Sequence, residues 1–353
     1  MTHFSVRQRN SSWLHLGALL LGSLGAAATA SGQLPLPGQG SSVPQNEQPR
    51  KAEFGRPIFE FHSGFWINLH HFLYEQARLS TGASADSRQS VDWSAALHYY
   101  ATEMSSRDLL FDSRMVLINN RLAQMEPCPD LSGTSSPTCA SGLRPELIAT
   151  LERAAPVYRA RWWPQQDRAN RAWIAAVAPM VLQMGLPLAR QLSRVYHSDW
   201  PGDPIPVDVT AYGGPFGAYT SLDPIHITVS SADSRNQGLA AFEILFHEAS
   251  HALAGGVEDA IVRDCRAREI PVPRDLWHAL LFYTTGEMVK RALDQQSHAA
   301  PSPEKQYEPY AYRNGLYERG WQGYERVLRA YWQPYLDGKV GFDRAVDQMV
   351  ASL

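Results

Sequence analysis

The sequence predicts a predominantly helical α+β protein, and three observations carry that prediction. Apolar residues recur at three- and four-residue spacing from about Phe54 to Tyr196. The pattern then switches, between Ser198 and Ser231, to short alternating runs rich in Val, Ile, Thr and Tyr and punctuated by Pro and Gly. Helical spacing returns afterwards and holds to the C-terminus. With 353 residues, 44% of them hydrophobic, the chain can bury a sizeable core. Its formal net charge of -3 leaves no basic surplus to neutralise phosphates, so no nucleic acid partner is expected.

Residues 1–30 read as an export signal. Arg7 and Arg9 precede the apolar run LHLGALLLGSLGAAATA, which closes on the small-x-small sequence Ala28-Thr29-Ala30. The expected location is therefore exported, periplasmic or secreted, with no stable membrane span after cleavage, because no later stretch reads as a spanning helix. Residues 31–53, rich in Pro, Gly, Ser and Gln, read as a flexible linker. Residues 54–200 are expected to form a helical lobe. Its helices are SGFWINLHHFLYEQARL, VDWSAALHYYATEM, the stretch through DSRMVLINNRLAQM, Arg144 to Tyr158, and Gln165 to about Tyr196. In an oxidising compartment Cys128 and Cys139, flanking the loop CPDLSGTSSPTC, are expected to pair, leaving Cys265 as a free thiol.

Residues 201–353 form the second lobe. VDVTAY and IHITVS are the clearest strands and GAYTS a weaker one. Asp233 or Ser234 can cap the next helix, which runs through His247-Glu248-Ala249-Ser250-His251 and is expected to stop at Gly255-Gly256. RDLWHALLFYTTGEMVKRALDQQ gives another long helix, and the aromatic-rich tail from Tyr310 is helical as well. No internal repeat is detectable.

The segment HEASH carries the chemistry. On a helix, His247 and His251 stand four residues apart and project from one face, where both can bind one tetrahedral ion. Glu248, one residue along, is placed beside that ion without entering its coordination sphere and can accept a proton from water. The alternative is two satisfied core histidines on an ordinary helix. An apolar helix after strand-like segments in an exported chain favours the metal site.

These residues resemble the zincin metallopeptidases, over Val207 to Leu293 and specifically only at HEASH. The resemblance implies a zincin-like lobe with a small sheet and an active-site helix, a Zn2+ cofactor, and a peptide or protein substrate laid along an edge strand, IHITVS or GAYTS. Ala254 and Val257 stand where a metzincin has Gly and His, so that subclass is excluded. A gluzincin instead takes a Glu from a second helix, and Gly286-Glu287 is similar to that context, although Arg291 stands where the accompanying Asp belongs. The favoured metal set is therefore His247, His251 and Glu287, with Asp294 a weak candidate for orienting a ligand.

Two rivals for the third ligand remain open. His278 is a good donor by type but lies nine residues before Glu287, about 180° round the helix, so the two cannot face one ion. Glu258 and Asp259 would serve if the chain folded back at the Gly-Gly break. For the oxyanion, the gluzincin resemblance points to a Tyr, and Tyr310, Tyr312 and Tyr317 are at hand, with Tyr310 and Tyr312 favoured as catalytic partners of Glu248. His62, His70 and His71 read as core or surface residues, and His226, alternating with Ile225 and Ile227, points toward a cleft. The expected function is a single-zinc metallopeptidase. The alternatives are a non-catalytic binding protein on the same fold and a zinc hydrolase of a non-peptide amide.

Overall fold

The computed structural model describes residues 57–79, 90–202, 204–299 and 307–353. The export signal of residues 1–30 and the linker of residues 31–53 lie outside them. The first element is a strand that the sequence pattern does not announce, β1 (Phe59–His62), followed by helices α1 (Phe65–Leu79), α2 (Val91–Glu103), α3 (Ser113–Ala123), α4 (Pro145–Arg161) and α5 (Trp163–Tyr196). Strands β2 (Ile205–Thr210), β3 (Ala218–Leu222) and β4 (Ile225–Ser230) then lead into helices α6 (Leu239–Ser250), α7 (Gly255–Ala267) and α8 (Leu276–Ala299). The tail adds α9 (Tyr310–Arg313), α10 (Gln322–Val327), α11 (Gln333–Leu336) and α12 (Phe342–Ala351). The architecture is α+β, mostly helical with one small mixed sheet.

The sheet runs in the order β1-β2-β4-β3, with β1, β2 and β4 parallel and β3 antiparallel at the edge. GAYTS, the weakest strand by pattern, is that edge. Successive side chains of a strand point to opposite faces, so the sheet separates two cores. Val207, Val209, Ile227 and Val229 join α5, α6, α8 and the C-terminal helices in one core, while Tyr219 joins α1 to α4 in the other.

This arrangement shifts the expected division at residue 200. Helix α5 contributes Trp173, Val177, Val181, Met184, Leu188, Leu192 and Tyr196 to the core of the second lobe, and β1 pairs with β2 across the proposed boundary. The described residues, from 57 to 353, fall in one compact unit. Helix α5 also corrects the reading that no later stretch is long and apolar enough to span a membrane, since by length and composition it is. Its apolar residues at three- and four-residue spacing are the ones that pack into the core.

Two helix ends also differ from expectation. Asp233 caps a single turn at Ser234–Asn236, and α6 starts only after Gly238, whose φ of 60° breaks the chain direction. Gly255 and Gly256 begin α7 instead of ending α6, which closes at Ser250 with His251 as its C-cap. The Cys128–Cys139 disulfide is present, with Cα atoms 5.5 Å apart, and Cys265 is a buried free thiol.

Candidate metal centre

Helix α6 is largely apolar and is buried from Ala240 to Ser250, with Glu243, His247, Glu248 and Ser250 as its polar exceptions. His247 and Glu248 are therefore held inside the protein by the packing of their neighbours, and His251 sits at the open end with a side chain 20% exposed. Helix α8 crosses beside it and supplies His278. The ligating nitrogens of His247, His251 and His278 all lie within 4.8 Å of one another, and no other such group of His, Cys, Asp and Glu occurs among the described residues.

The spacing suits a metal. Zinc bound at 2.0–2.1 Å to tetrahedral nitrogens separates them by about 3.4 Å, and Nε2 of His247 is 3.2 Å from Nε2 of His278. Burial, with repulsion from His251 and His278, holds His247 well below the usual imidazole range. Burial together with His278 lowers His251 to about 3, and burial lowers His278 to about 4 despite Asp275 nearby. All three rings are thus neutral at pH 7 and keep a lone pair for a cation. Phe282 stacks on His247 with centroids 3.6 Å apart, and Trp277 stacks on His278 at 5.1 Å, which fixes the ring planes.

Glu248 stands beside this triad. Its Oε2 accepts a hydrogen bond from the Thr220 hydroxyl of β3 at 2.7 Å and lies 3.9 Å from Nε2 of His251. Burial raises the Glu248 carboxyl to about 7, with the Thr220 hydrogen bond opposing. A buried acid tuned close to neutrality can take and return a proton.

The histidine that α8 brings to His247 and His251 is His278, and Glu287 is not in that group. Nine residues separate them on α8, and Glu287 faces the opposite side, lining a groove with Tyr283, Lys290, Tyr307, Tyr312 and Arg329. Glu258 and Asp259 are exposed on α7, outside the histidine group.

The two tyrosines expected to serve Glu248 also separate. Tyr312 shares the Glu287 groove, where its hydroxyl donates to Glu325 at 3.1 Å, so it is removed from the triad. Tyr317 packs against it at 4.9 Å. Tyr310 is buried, stacks on Phe282 at 5.8 Å, and is close enough to Glu248 for the carboxylate to oppose its ionisation. Burial pushes its phenol up to about 12 against the opposing Arg235 guanidinium, with Asp233, Glu248 and Glu243 adding to the rise, and its hydroxyl donates to Oδ1 of Asn236 at 3.4 Å.

The four other histidines weighed in the sequence make structural contacts. His70 bonds Tyr100, and His71 donates from Nδ1 to Ile67 and accepts from the Tyr219 hydroxyl at Nε2. His62 pairs with Glu126 near the surface. His226 does not open on a cleft: it is buried on the far face of the sheet against Asp208. Compared with protein-family models, characterised proteins and solved structures, the chain matches none.

Sequence reasoning passed over Trp277, Trp321, Phe282 and Thr220. The aromatic trio surrounds His278 within 6 Å centroid to centroid. Only the proximity of Trp277 and Phe282 to His278 in sequence signals any of this; Trp321 and Thr220 arrive by tertiary folding.

Proposed function

We propose that this protein is an exported metallohydrolase that cleaves peptide bonds with zinc held by His247, His251 and His278. The observation that carries the reading is the convergence of three neutral imidazoles beside a buried carboxylate, Glu248, that is no part of their set. When bound, zinc would polarise the scissile carbonyl and make water a stronger acid. Glu248 would take the proton from that water and pass it to the leaving amine, with Thr220 fixing its carboxylate. Tyr310 would donate to the oxygen that gains charge.

The substrate class follows from what surrounds these groups. Among the described residues strand β3 pairs only with β4, and it holds Thr220 against Glu248. An extended peptide added to its free side would carry its backbone past the triad. Trp277, Trp321 and Phe282 give the mouth an apolar lining suited to an uncharged side chain next to the scissile bond.

The test is Glu248→Gln, which keeps the shape but cannot accept a proton. Zinc content should be unchanged, while cleavage of a peptide library should fall on the order of a hundredfold or more. Equal cleavage by both proteins would overturn the mechanism. A zinc-loaded wild type that cleaves no peptide would overturn the peptidase reading.

A further inference from the structure

Gly286 and Glu243 lie on the two helices that carry the histidines, and neither has a part in the chemistry above. On α6, Glu243, His247 and His251 follow one another at four-residue spacing. On α8, His278, Phe282 and Gly286 do the same. Residues so spaced share a helix face. The two stripes meet: His247 lies against His278, its ring stacks on Phe282, and a Cβ at Gly286 would stand 3.2 Å from Oε1 of Glu243.

Into the far end of this seam fits the segment Tyr307 to Tyr310. The Glu243 Oε2 accepts from the Tyr307 hydroxyl at 2.7 Å and from the Tyr310 backbone N–H at 2.9 Å. Tyr310 is the first residue of the short helix α9, so this N–H has no partner within its own helix. Gly286 admits the segment from the other side. A Cβ there would come within 2.7 Å of the Pro309 Cβ, which a real side chain does not tolerate. The Tyr310 ring then lies against Phe282, one turn from His278.

We propose that Glu243 is a positioning residue: with Gly286 it clamps Tyr307–Tyr310 between α6 and α8 and so holds the Tyr310 ring against Phe282, the ring that stacks on His247, with the phenol resting on Asn236 in the absence of substrate. The claim rests on the reading of Tyr310 as a donor at that centre. A carboxyl buried in a helix costs several kcal/mol if unpaired; both bonds that Glu243 accepts go from this segment to Oε2, and Oε1 is buried without a hydrogen-bond partner. The clamp is made by the helices that bear the ligands, so it registers the phenol to the histidines and not to a separate part of the fold.

The experiment uses the full zinc-loaded chain and reads amide exchange over residues 307–313 alongside peptide cleavage. In Glu243→Ala, exchange in that segment should quicken about tenfold or more, because both bonds are lost. The turnover number should fall as far as in Tyr310→Phe, with zinc content unchanged and KM little altered. Glu243→Gln keeps an acceptor oxygen and should recover most of both. The double variant Glu243→Ala with Tyr310→Phe should be no slower than Tyr310→Phe alone. Unchanged exchange in Glu243→Ala, or a rate loss that adds to that of Tyr310→Phe, would overturn the proposal. Should Glu243→Ala fail to fold, Tyr307→Phe, which removes one of the two bonds, gives the same readings on a milder scale. If the wild type binds zinc and cleaves nothing, the peptidase reading falls, and the exchange data still decide the clamp.

Discussion

Replacing Glu243 by Gln should change how stability depends on pH. Burial raises the Glu243 carboxyl from 4.5 to about 7, against the opposing hydrogen bonds from Tyr307 and Tyr310 and with help from Glu287. A folded-state value above the unfolded one means that the folded protein binds the proton more tightly. The stability so gained is fully present below about pH 4.5 and is lost as pH rises through about 7. At 1.36 kcal/mol per unit the whole difference is about 3 kcal/mol, of which roughly 2 to 3 fall between pH 5 and pH 8. Glutamine does not titrate and keeps the acceptor oxygen, so the variant should gain on the wild type by that amount as pH rises. Urea midpoints of both proteins at saturating zinc, taken at pH 5, 6, 7 and 8, measure it, since every other titration is shared. A stability difference that stays constant to within about 0.5 kcal/mol across this range would refute the reasoning.

Two further outcomes are expected. Thr220→Val removes the hydroxyl that orients the Glu248 carboxylate; turnover should fall about tenfold with zinc retained, as titration of the metal alongside steady-state kinetics would show. Cys128→Ser with Cys139→Ser opens a loop spanning 11 positions beside the α1–α4 core and should cost about 2 to 3 kcal/mol in denaturant unfolding without loss of zinc.

Much of the fold was legible because its signals are local. Helices α1 to α5 follow from apolar spacing, and the disulfide from two cysteines that flank a short Pro- and Ser-rich loop in a chain read as exported. Strand β1 was not legible: four residues are too few for a period, and only its pairing with β2 makes it a strand. In the site, His247, Glu248 and His251 are fixed by helical geometry alone. The third ligand depends on which face of α8 meets α6, and that is a tertiary fact. The same helical phase that sets His278 against Glu287 is readable in sequence, but which of them faces inward is not. Gly286 drew the reading toward Glu287, yet its lack of a side chain serves the approach of Pro309.

Metal analysis of His278→Ala and Glu287→Ala tests the centre most directly. Wild type and Glu287→Ala, purified after zinc loading and dialysis, should each hold about one zinc per chain, and His278→Ala should hold well under a tenth of that. Stoichiometric zinc in His278→Ala together with its loss from Glu287→Ala would contradict the assignment of the three histidines as the metal set.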